Sequence, residues 1–258
     1  MDTSTKSLGS GPLVSVLMLT YNRADFIGRA IESVLAQTLI DWELIIVDDG
    51  STDTTADVVA RYSDPRIRYI PHRENEGVIS RRNESVRIAT GTYLAVLDSD
   101  DVWTDPVKLR GQVAFLEAHP DHVLVGTQAM LVHGENRVVT TYPTDDATLR
   151  ARILSKNLFI NSSCMWRRDA LPEEAYRAKD YLVEDYSLWL RLGTRGKFAN
   201  LPECMTQYTI HAGSQNQQSL VRATACSLAL AQEFRGAYPH AFRALWIWRL
   251  KLLIRKLR

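Results

Sequence analysis

The chain has 258 residues, of which 45% are apolar and 24% charged, the composition of a globular protein rather than of a disordered one. Its formal net charge of +1 gives no strong overall field, so we expect no nucleic-acid partner. Three widely spaced cysteines form no disulfide framework, which favours a cytoplasmic location. Residues 1–12 are polar, unlike a signal peptide, and are expected to form a flexible leader; no apolar stretch is long enough to span a membrane.

Residues 13–127 alternate between short apolar runs and segments with helical periodicity. Strands are predicted at residues 14–19, 43–47, 66–70 and 93–97, with another beginning at residue 123. Helices are predicted between them, at about residues 26–35, 52–62, 77–90 and 106–118. This alternation predicts an α/β fold with a parallel central sheet and helices on both of its faces.

After residue 127 the pattern is less regular. Residues 162–166 have strand character, residues 184–192 have the periodicity of a helix, and residues 197–210 are strand-like with an interruption at Pro202. The chain is mostly helical from about residue 218. Since no linker rich in proline or glycine separates the halves, we expect one domain over residues 13–217 and a helical tail over residues 218–258.

Polar clusters follow three of the predicted strands, at residues 20–22, 48–51 and 98–101. The carboxyl ends of parallel strands share one edge of a sheet, so these clusters are expected to converge on one ligand. The densest is Asp98-Ser99-Asp100-Asp101, where three carboxylates repel each other unless a cation or water lies between them. A divalent metal site with a phosphorylated ligand is one interpretation, and a solvated turn that caps a helix is the other.

Four further positions have a functional and a structural interpretation each. Tyr21 suits stacking on a nucleobase or a half-buried strand end. Arg82 suits phosphate binding, pairing with Asp98 and Asp101, or a solvated helix face. Asp185 follows Glu184 at a helix start, where a carboxylate serves as a general base or complements the helix dipole. His211 suits a metal or phosphate ligand, although a lone histidine is more often structural.

Together these stretches resemble glycosyltransferase family 2. The matching segments are residues 14–22, 37–38, 43–53, 82–83 and 93–101, with Glu184-Asp185 and His211 in the second half. The resemblance implies a GT-A fold, with a mostly parallel Rossmann-like central sheet flanked by helices. Residues 13–127 would be the nucleotide-sugar-binding half, and residues 128–217 the acceptor half.

The resemblance also implies an activity and its partners. The chain would be an inverting enzyme that moves a sugar from a nucleoside-diphosphate sugar, usually UDP-linked, to an acceptor hydroxyl. The acceptor would be a glycan or a lipid-linked glycan, in cell-surface polysaccharide or glycolipid synthesis, and the cofactor would be Mn²⁺ or Mg²⁺.

The roles implied by the resemblance fall on individual residues. Tyr21 and Asp49 would hold the nucleobase, and Asp98 the ribose or a metal-bound water. Asp100 would bind the metal, Asp185 would be the catalytic base, and the remaining donor-site or metal-site positions would be Thr20, Asn22, Arg82, Ser99 and His211.

Two other functions fit part of the pattern. The segment from Asp98 to Val102 also fits the aspartate nucleophile of a haloacid-dehalogenase-like phosphatase, although that motif normally follows the first strand of its domain. A sugar-nucleotide binder without catalytic activity is the other alternative, but the intact carboxylates at positions 98, 100 and 185 argue against it.

The last part of the helical tail, residues 234–258, carries seven lysine or arginine residues and no acidic one. Tryptophan and aliphatic residues lie between the basic ones, which predicts a basic amphipathic helix that attaches peripherally to an anionic membrane through residues 240–258. On a helical wheel Arg249 and Lys256 fall inside the apolar arc. A terminal helix packed on the domain, with basic side chains that reach solvent, is the alternative.

Overall fold

The computed structural model of the protein describes residues 11–210 and 220–256. Its strands are β1 (Val14–Thr20), β2 (Trp42–Asp48), β3 (Ile67–Pro71), β4 (Tyr93–Val96), β5 (Val102–Trp103), β6 (His122–His133), β7 (Asn136–Val139), β8 (Met165–Arg167) and β9 (Lys197–Thr209). Its α-helices are α1 (Ala24–Leu35), α2 (Thr55–Val59), α3 (Val78–Ile88), α4 (Lys108–Ala118), α5 (Asp146–Ile153), α6 (Glu184–Gly193), α7 (Leu220–Glu233) and α8 (Ala241–Lys256).

The strands form one sheet in the order β3-β2-β1-β4-β8-β6-β9-β5, with β7 paired to β6. The first four strands are parallel, which confirms the α/β alternation predicted for the first half. β1, β2 and β4 are buried along almost their whole length, as their continuous apolar runs predict for strands covered on both faces.

The second half of the chain adds mixed pairings to the same sheet. β8 is antiparallel to both β4 and β6, whereas β9 is parallel to β6. The predicted interruption at Pro202 is a shift of register: the partner of Thr127 is Leu201, and the partner of Gln128 is Cys204. β9 therefore continues past the proline, because the residues around it are looped out of the ladder.

Two apolar clusters cover the two faces of the sheet. Val16 and Met18 of β1 point into the cluster that α1 and α4 cover, whereas Leu17 points into the other cluster. This second cluster includes residues of α5 and α6 and extends into the tail with Phe234 and Trp248. The tail therefore shares a core with the domain.

Helix α8 has two apolar faces. Ala244 and Trp248 are buried, and Nε1 of Trp248 donates to the carbonyl oxygen of Leu154 at 2.7 Å. On the opposite side, an outer stripe is exposed to solvent, formed by Phe242 (86% exposed), Trp246 (61%), Leu250 (41%) and Leu253 (57%). None of the helices in the described ranges is long and apolar enough to cross a membrane.

Candidate active site

A cavity of about 740 Å³ opens where the carboxyl ends of β1, β2 and β4 meet the second half of the chain. Most of the predicted site residues line it: Thr20, Tyr21, Asp49, Arg82, Asp98, Ser99, Asp100 and Asp185. His211 lies outside the described residues, although its neighbour Ile210 lines the cavity. The strand ends that the sequence analysis placed on one edge thus converge on one space.

Asp98 is fixed by partners on both of its carboxylate oxygens. Oδ1 accepts a hydrogen bond from Nη2 of Arg82 at 2.9 Å, and Oδ2 accepts one from Nδ2 of Asn161 at 2.9 Å. Its backbone N–H donates to Oγ of Ser162 at 3.0 Å. These three hydrogen bonds therefore fix the orientation of Asp98 at the cavity wall.

The two aspartates after Ser99 face different surroundings. Asp100 lines the cavity and pairs with Nε of Arg23 across 3.3 Å. Asp101 is buried and accepts hydrogen bonds from Ser162 Oγ and from the backbone N–H of Thr209, the latter at 2.9 Å. Burial, together with the charges of Asp98 and Asp100, raises the pKa of Asp101 well above its ordinary value. Asp101 thus anchors the loop to the end of β9.

The donor set of this loop suits a hard divalent cation. Carboxylate oxygens are the ligands that Mg²⁺ and Mn²⁺ prefer, and Mg²⁺ commonly takes one or two of them together with substrate phosphates. Within the described residues no group of three histidine, cysteine or acidic side chains is arranged to hold a metal. Asp100, next to Asp98 in the same loop, supplies carboxylate oxygens of the kind that such an ion takes.

Asp185 lies in the first turn of α6, in the second half of the chain, whereas the Asp98 loop belongs to the first half. Its Oδ2 accepts a hydrogen bond from Nδ2 of Asn157 at 3.2 Å, and its Oδ1 accepts one from the N–H of Tyr186 at 2.6 Å. Burial raises the pKa of Asp185, and the charge of Arg82 opposes that rise. Burial and the charge of Asp185 likewise raise the pKa of Glu184 to about 7.

Arg82 lies between these two acidic regions. Besides its bond to Asp98, its Nε is 4.0 Å from Oε1 of Glu184, and its guanidinium is 5.7 Å from the ring centroid of Tyr176. Nε itself has no hydrogen-bond partner among the described residues. Burial alone would lower the pKa of Arg82, but the charges of Asp98 and Glu184 raise it above the ordinary value.

Asp49 is held by the N-terminus of α3. Its carboxylate accepts hydrogen bonds from the N–H groups of Glu76 and Gly77 at 2.8 and 2.9 Å and from Nε of Arg81 at 2.8 Å. Gly77 has a φ of 88°, which lets the chain turn its N–H toward this carboxylate. Since a carboxylate has about four acceptor positions, one remains for a ligand.

Asn22 has a different position from the other candidates. It is absent from the cavity lining of the described residues, and its Oδ1 accepts hydrogen bonds from the N–H groups of Thr52 and Asp53 at 2.8 and 3.3 Å. Its own N–H donates to Oγ of Ser51 at 2.9 Å. Asn22 therefore ties the loop after β1 to the loop after β2.

Comparison with known proteins identifies the family to which these site residues belong. The sequence model of the family described as "Glycosyl transferase family 2" matches residues 15–173, which is more than half of the chain. The chain belongs to glycosyltransferase family 2. The matched region contains β1, β2 and the Asp98 loop, and family membership removes the phosphatase alternative.

Curated relatives of this family 2 glycosyltransferase match into the second half as well. EpsE of Bacillus subtilis (strain 168) is 36% identical over 212 residues, which covers 77% of this chain and 73% of the relative. The UDP-Glc:alpha-D-GlcNAc-diphosphoundecaprenol beta-1,3-glucosyltransferase WfaP of Escherichia coli is 32% identical over 203 residues, covering 78% of this chain and 79% of the relative.

Solved structures show that this family 2 member has the GT-A fold. S. aureus TarS 1-349 in complex with UDP-GlcNAc matches with a TM-score of 0.69 and 20% identity, over 92% of this chain and 72% of that one. The mannosyltransferase PcManGT from Pyrobaculum calidifontis, in complex with GDP-Man and Mn²⁺, matches with a TM-score of 0.66 and 18% identity, over 96% and 76% of the two chains.

The structure adds residues to the site of this glycosyltransferase that sequence reasoning did not single out. Asn157, Asn161 and Ser162 hold the candidate carboxylates, yet each lies at least 28 residues along the chain from the aspartate that it contacts. An aromatic wall was also missed, because its members come from distant parts of the chain, three from loops and one from β9; it consists of Tyr142, Phe159, Tyr181 and Tyr208.

Proposed function

We propose that the chain transfers a sugar from a UDP-linked donor to an acceptor hydroxyl, with inversion at the anomeric carbon. The acceptor is a glycan or a lipid-linked glycan used in cell-surface polysaccharide or glycolipid synthesis. The observation that carries the proposal is that Asp98, Asp100 and Asp185 line the same cavity, with Arg82 between the two regions.

The nucleotide is assigned to the end of β1. Tyr21 lines the cavity and is 44% exposed, so its ring is available for stacking on a base. Oγ1 of Thr20 is buried beside it without a hydrogen-bond partner among the described residues, and Asp49 has an acceptor position left. A uracil N–H and a ribose hydroxyl match these groups, and both TarS and WfaP carry UDP sugars in their descriptions.

The reaction requires one base and no covalent nucleophile. Asp185 takes the proton from the acceptor hydroxyl as that oxygen attacks the anomeric carbon, and the nucleoside diphosphate leaves from the opposite face. Asn157 and the N–H of Tyr186 hold the carboxylate in one orientation. The burial that raises the pKa of Asp185 also makes it a stronger base when it is ionised.

Asp100, with His211, would hold Mn²⁺ or Mg²⁺ in this mechanism, and Asp98 would bond the ribose or a metal-bound water. The bound ion supplies positive charge to the leaving diphosphate. The structural neighbour PcManGT, which was solved with Mn²⁺, supports this assignment, as does the oxygen-rich donor set. Arg23 pairs with Asp100 and adds a second positive charge at this carboxylate.

The outer stripe of α8 is proposed to contact an anionic membrane surface peripherally. Its apolar side chains point away from the domain, and basic residues flank them on the same helix: Arg243, Arg249 and Lys256. A helix with an exposed apolar stripe between basic flanks lies in the interface of anionic lipids, because apolar burial and charge attraction act together. This contact would bring the enzyme to a lipid-linked acceptor.

Thermal unfolding with a set of sugar nucleotides tests the proposed function. We expect a UDP sugar to raise the midpoint when Mn²⁺ is present, because a ligand that binds only the folded chain stabilises it. The shift should shrink in Asp100→Asn, while an exposed variant such as Glu117→Gln keeps it. A wild-type protein that no nucleoside-diphosphate sugar stabilises, with or without Mn²⁺, would refute the proposal.

A further inference from the structure

Three basic side chains gather where α8 meets the loop after α5. Nζ of Lys251 is 3.4 Å from the carbonyl oxygen of Ser155, and Nζ of Lys156 is 5.0 Å from the ring centroid of Tyr142. Arg255 lies one turn of helix beyond Lys251 and donates to the carbonyl oxygen of Leu220 at 3.1 Å. We name these three basic residues, Lys156, Lys251 and Arg255, the α8 cation cluster.

Among the described residues, the α8 cation cluster has no acidic partner. In residues 11–210 and 220–256, none of the three cations lies within 4.0 Å of a carboxylate oxygen, the separation that defines an ion pair. Burial and the charges of Arg255 and Lys156 lower the pKa of Lys251. Like charges held together in this way destabilise the free protein and favour the binding of an anion.

The cluster adjoins the acceptor side of the cavity. Lys156 lies against Tyr142, which is part of the cavity wall. Asn157, which directly follows Lys156 in the sequence, also lines the cavity. Asn157 in turn donates to Asp185 at 3.2 Å. A chain of direct contacts and neighbouring residues thus joins the cations to the carboxylate that would activate the acceptor hydroxyl.

We propose that the α8 cation cluster binds the phosphate of an acceptor whose sugar is joined to a lipid through phosphate. This inference rests on the proposed function, since Asp185 defines the acceptor end of the cavity. A sugar with its hydroxyl at Asp185 would direct its linking phosphate toward Lys156 and Lys251, where charge-assisted hydrogen bonds hold it. Two of the three cations, Lys251 and Arg255, lie on the helix that also carries the outer stripe, so a phosphate bound by them would stay close to the membrane surface that the stripe contacts.

Binding of octyl phosphate below its micellar concentration, measured by calorimetry, tests the cluster. Wild-type protein should bind it, and octyl glucoside should not compete. The double variant Lys156→Gln/Lys251→Gln should bind about tenfold more weakly, because two charge-assisted contacts are lost. The matched control Arg87→Gln, an exposed arginine on α3 to which neither surface is assigned, should bind like wild type. Equal affinity of wild type and double variant would overturn the proposal.

Two further arms separate the explanations. UDP binding should be unchanged in the double variant. If wild-type protein binds octyl phosphate but no UDP, the proposed function fails while the anion site stands.

Co-sedimentation with vesicles of phosphatidylcholine and phosphatidylglycerol should also be unchanged in the double variant. If vesicle binding falls as far as octyl phosphate binding does, the cluster binds bulk lipid headgroups and the acceptor assignment is wrong. The double variant should unfold no earlier than wild type, because the substitutions remove repulsion.

Discussion

The guanidinium of Arg82 donates to the carboxylate of Asp98 across 2.9 Å, and both groups line the same cavity. Arg82 is 8% exposed, and Glu184 lies on its other side. The buried cation of Arg82 therefore pairs with an acidic side chain from each half of the site, Asp98 and Glu184. Its removal should affect stability and proton affinity in ways that can be measured separately.

Arg82→Gln should lower the free energy of unfolding by about 3 kcal/mol, because it leaves the buried Glu184 and the partly buried Asp98 without a cation. Arg82→Lys keeps the charge but not the planar fork, and should lose less. Urea denaturation of the three proteins at neutral pH measures the difference. An Arg82→Gln variant as stable as wild type would show that the pair does not stabilise the fold.

The same two variants should differ in the pH dependence of turnover. Asp185 must be ionised to accept a proton, so activity falls as pH drops through its pKa. The charge of Arg82 opposes the rise in the pKa of Asp185 that burial causes. In Arg82→Gln the acidic limb of kcat should therefore move to higher pH, and in Arg82→Lys it should stay close to wild type. If the acidic limb lies at the same pH in all three proteins, the charge of Arg82 does not affect the pKa of the catalytic base.

Glu184→Gln should stabilise the protein at alkaline pH. Burial and Asp185 raise the pKa of Glu184 from 4.5 to about 7, so the folded chain binds a proton more tightly than the unfolded chain. Stability is then lost as pH rises from about 4.5 to about 7, and the variant escapes that loss. We expect a gain of about 2 kcal/mol at pH ~8 and little change at pH ~4. Thermal unfolding at both pH values tests the sign.

Trp246 and Trp248 form a matched pair on opposite faces of α8. Trp248 is 8% exposed and bonded to Leu154, so Trp248→Ala should cost about 3 kcal/mol of stability. Trp246 is 61% exposed, and Trp246→Ala should change stability by no more than about 0.5 kcal/mol. Only Trp246→Ala should weaken co-sedimentation with anionic vesicles while the fold stays intact. If folded Trp246→Ala binds vesicles as wild type does, the outer stripe is not a membrane contact.

The sequence was sufficient for the features that depend on local pattern. Continuous apolar runs and helical spacing predict the parallel strands, and polar residues at strand ends predict which edge holds the site. Pro202 was predicted to interrupt a strand, but β9 accommodates it by a shift of register against β6. That outcome depends on the partner strand, which a single segment does not specify.

Features that depend on distant contacts were beyond the sequence. Nothing near Asn161 or Ser162 indicates that they hold the Asp98 loop, because those pairs are more than sixty residues apart. The helical wheel of α8 placed Arg249 inside one broad apolar arc. In the structure that arc is two separate faces, one buried through Trp248 and one exposed, and Arg249 lies between them.

Turnover and donor binding in Asp185→Asn test the central claim most directly. The substitution preserves the shape of the side chain but removes its basicity, so transfer should fall by about 10²- to 10⁴-fold. UDP affinity should remain that of wild type, because Asp185 contacts Asn157 and Tyr186 rather than the residues assigned to the nucleotide. Release of UDP in the presence of an acceptor on which wild-type protein turns over gives the rate. Wild-type turnover in Asp185→Asn would contradict the account.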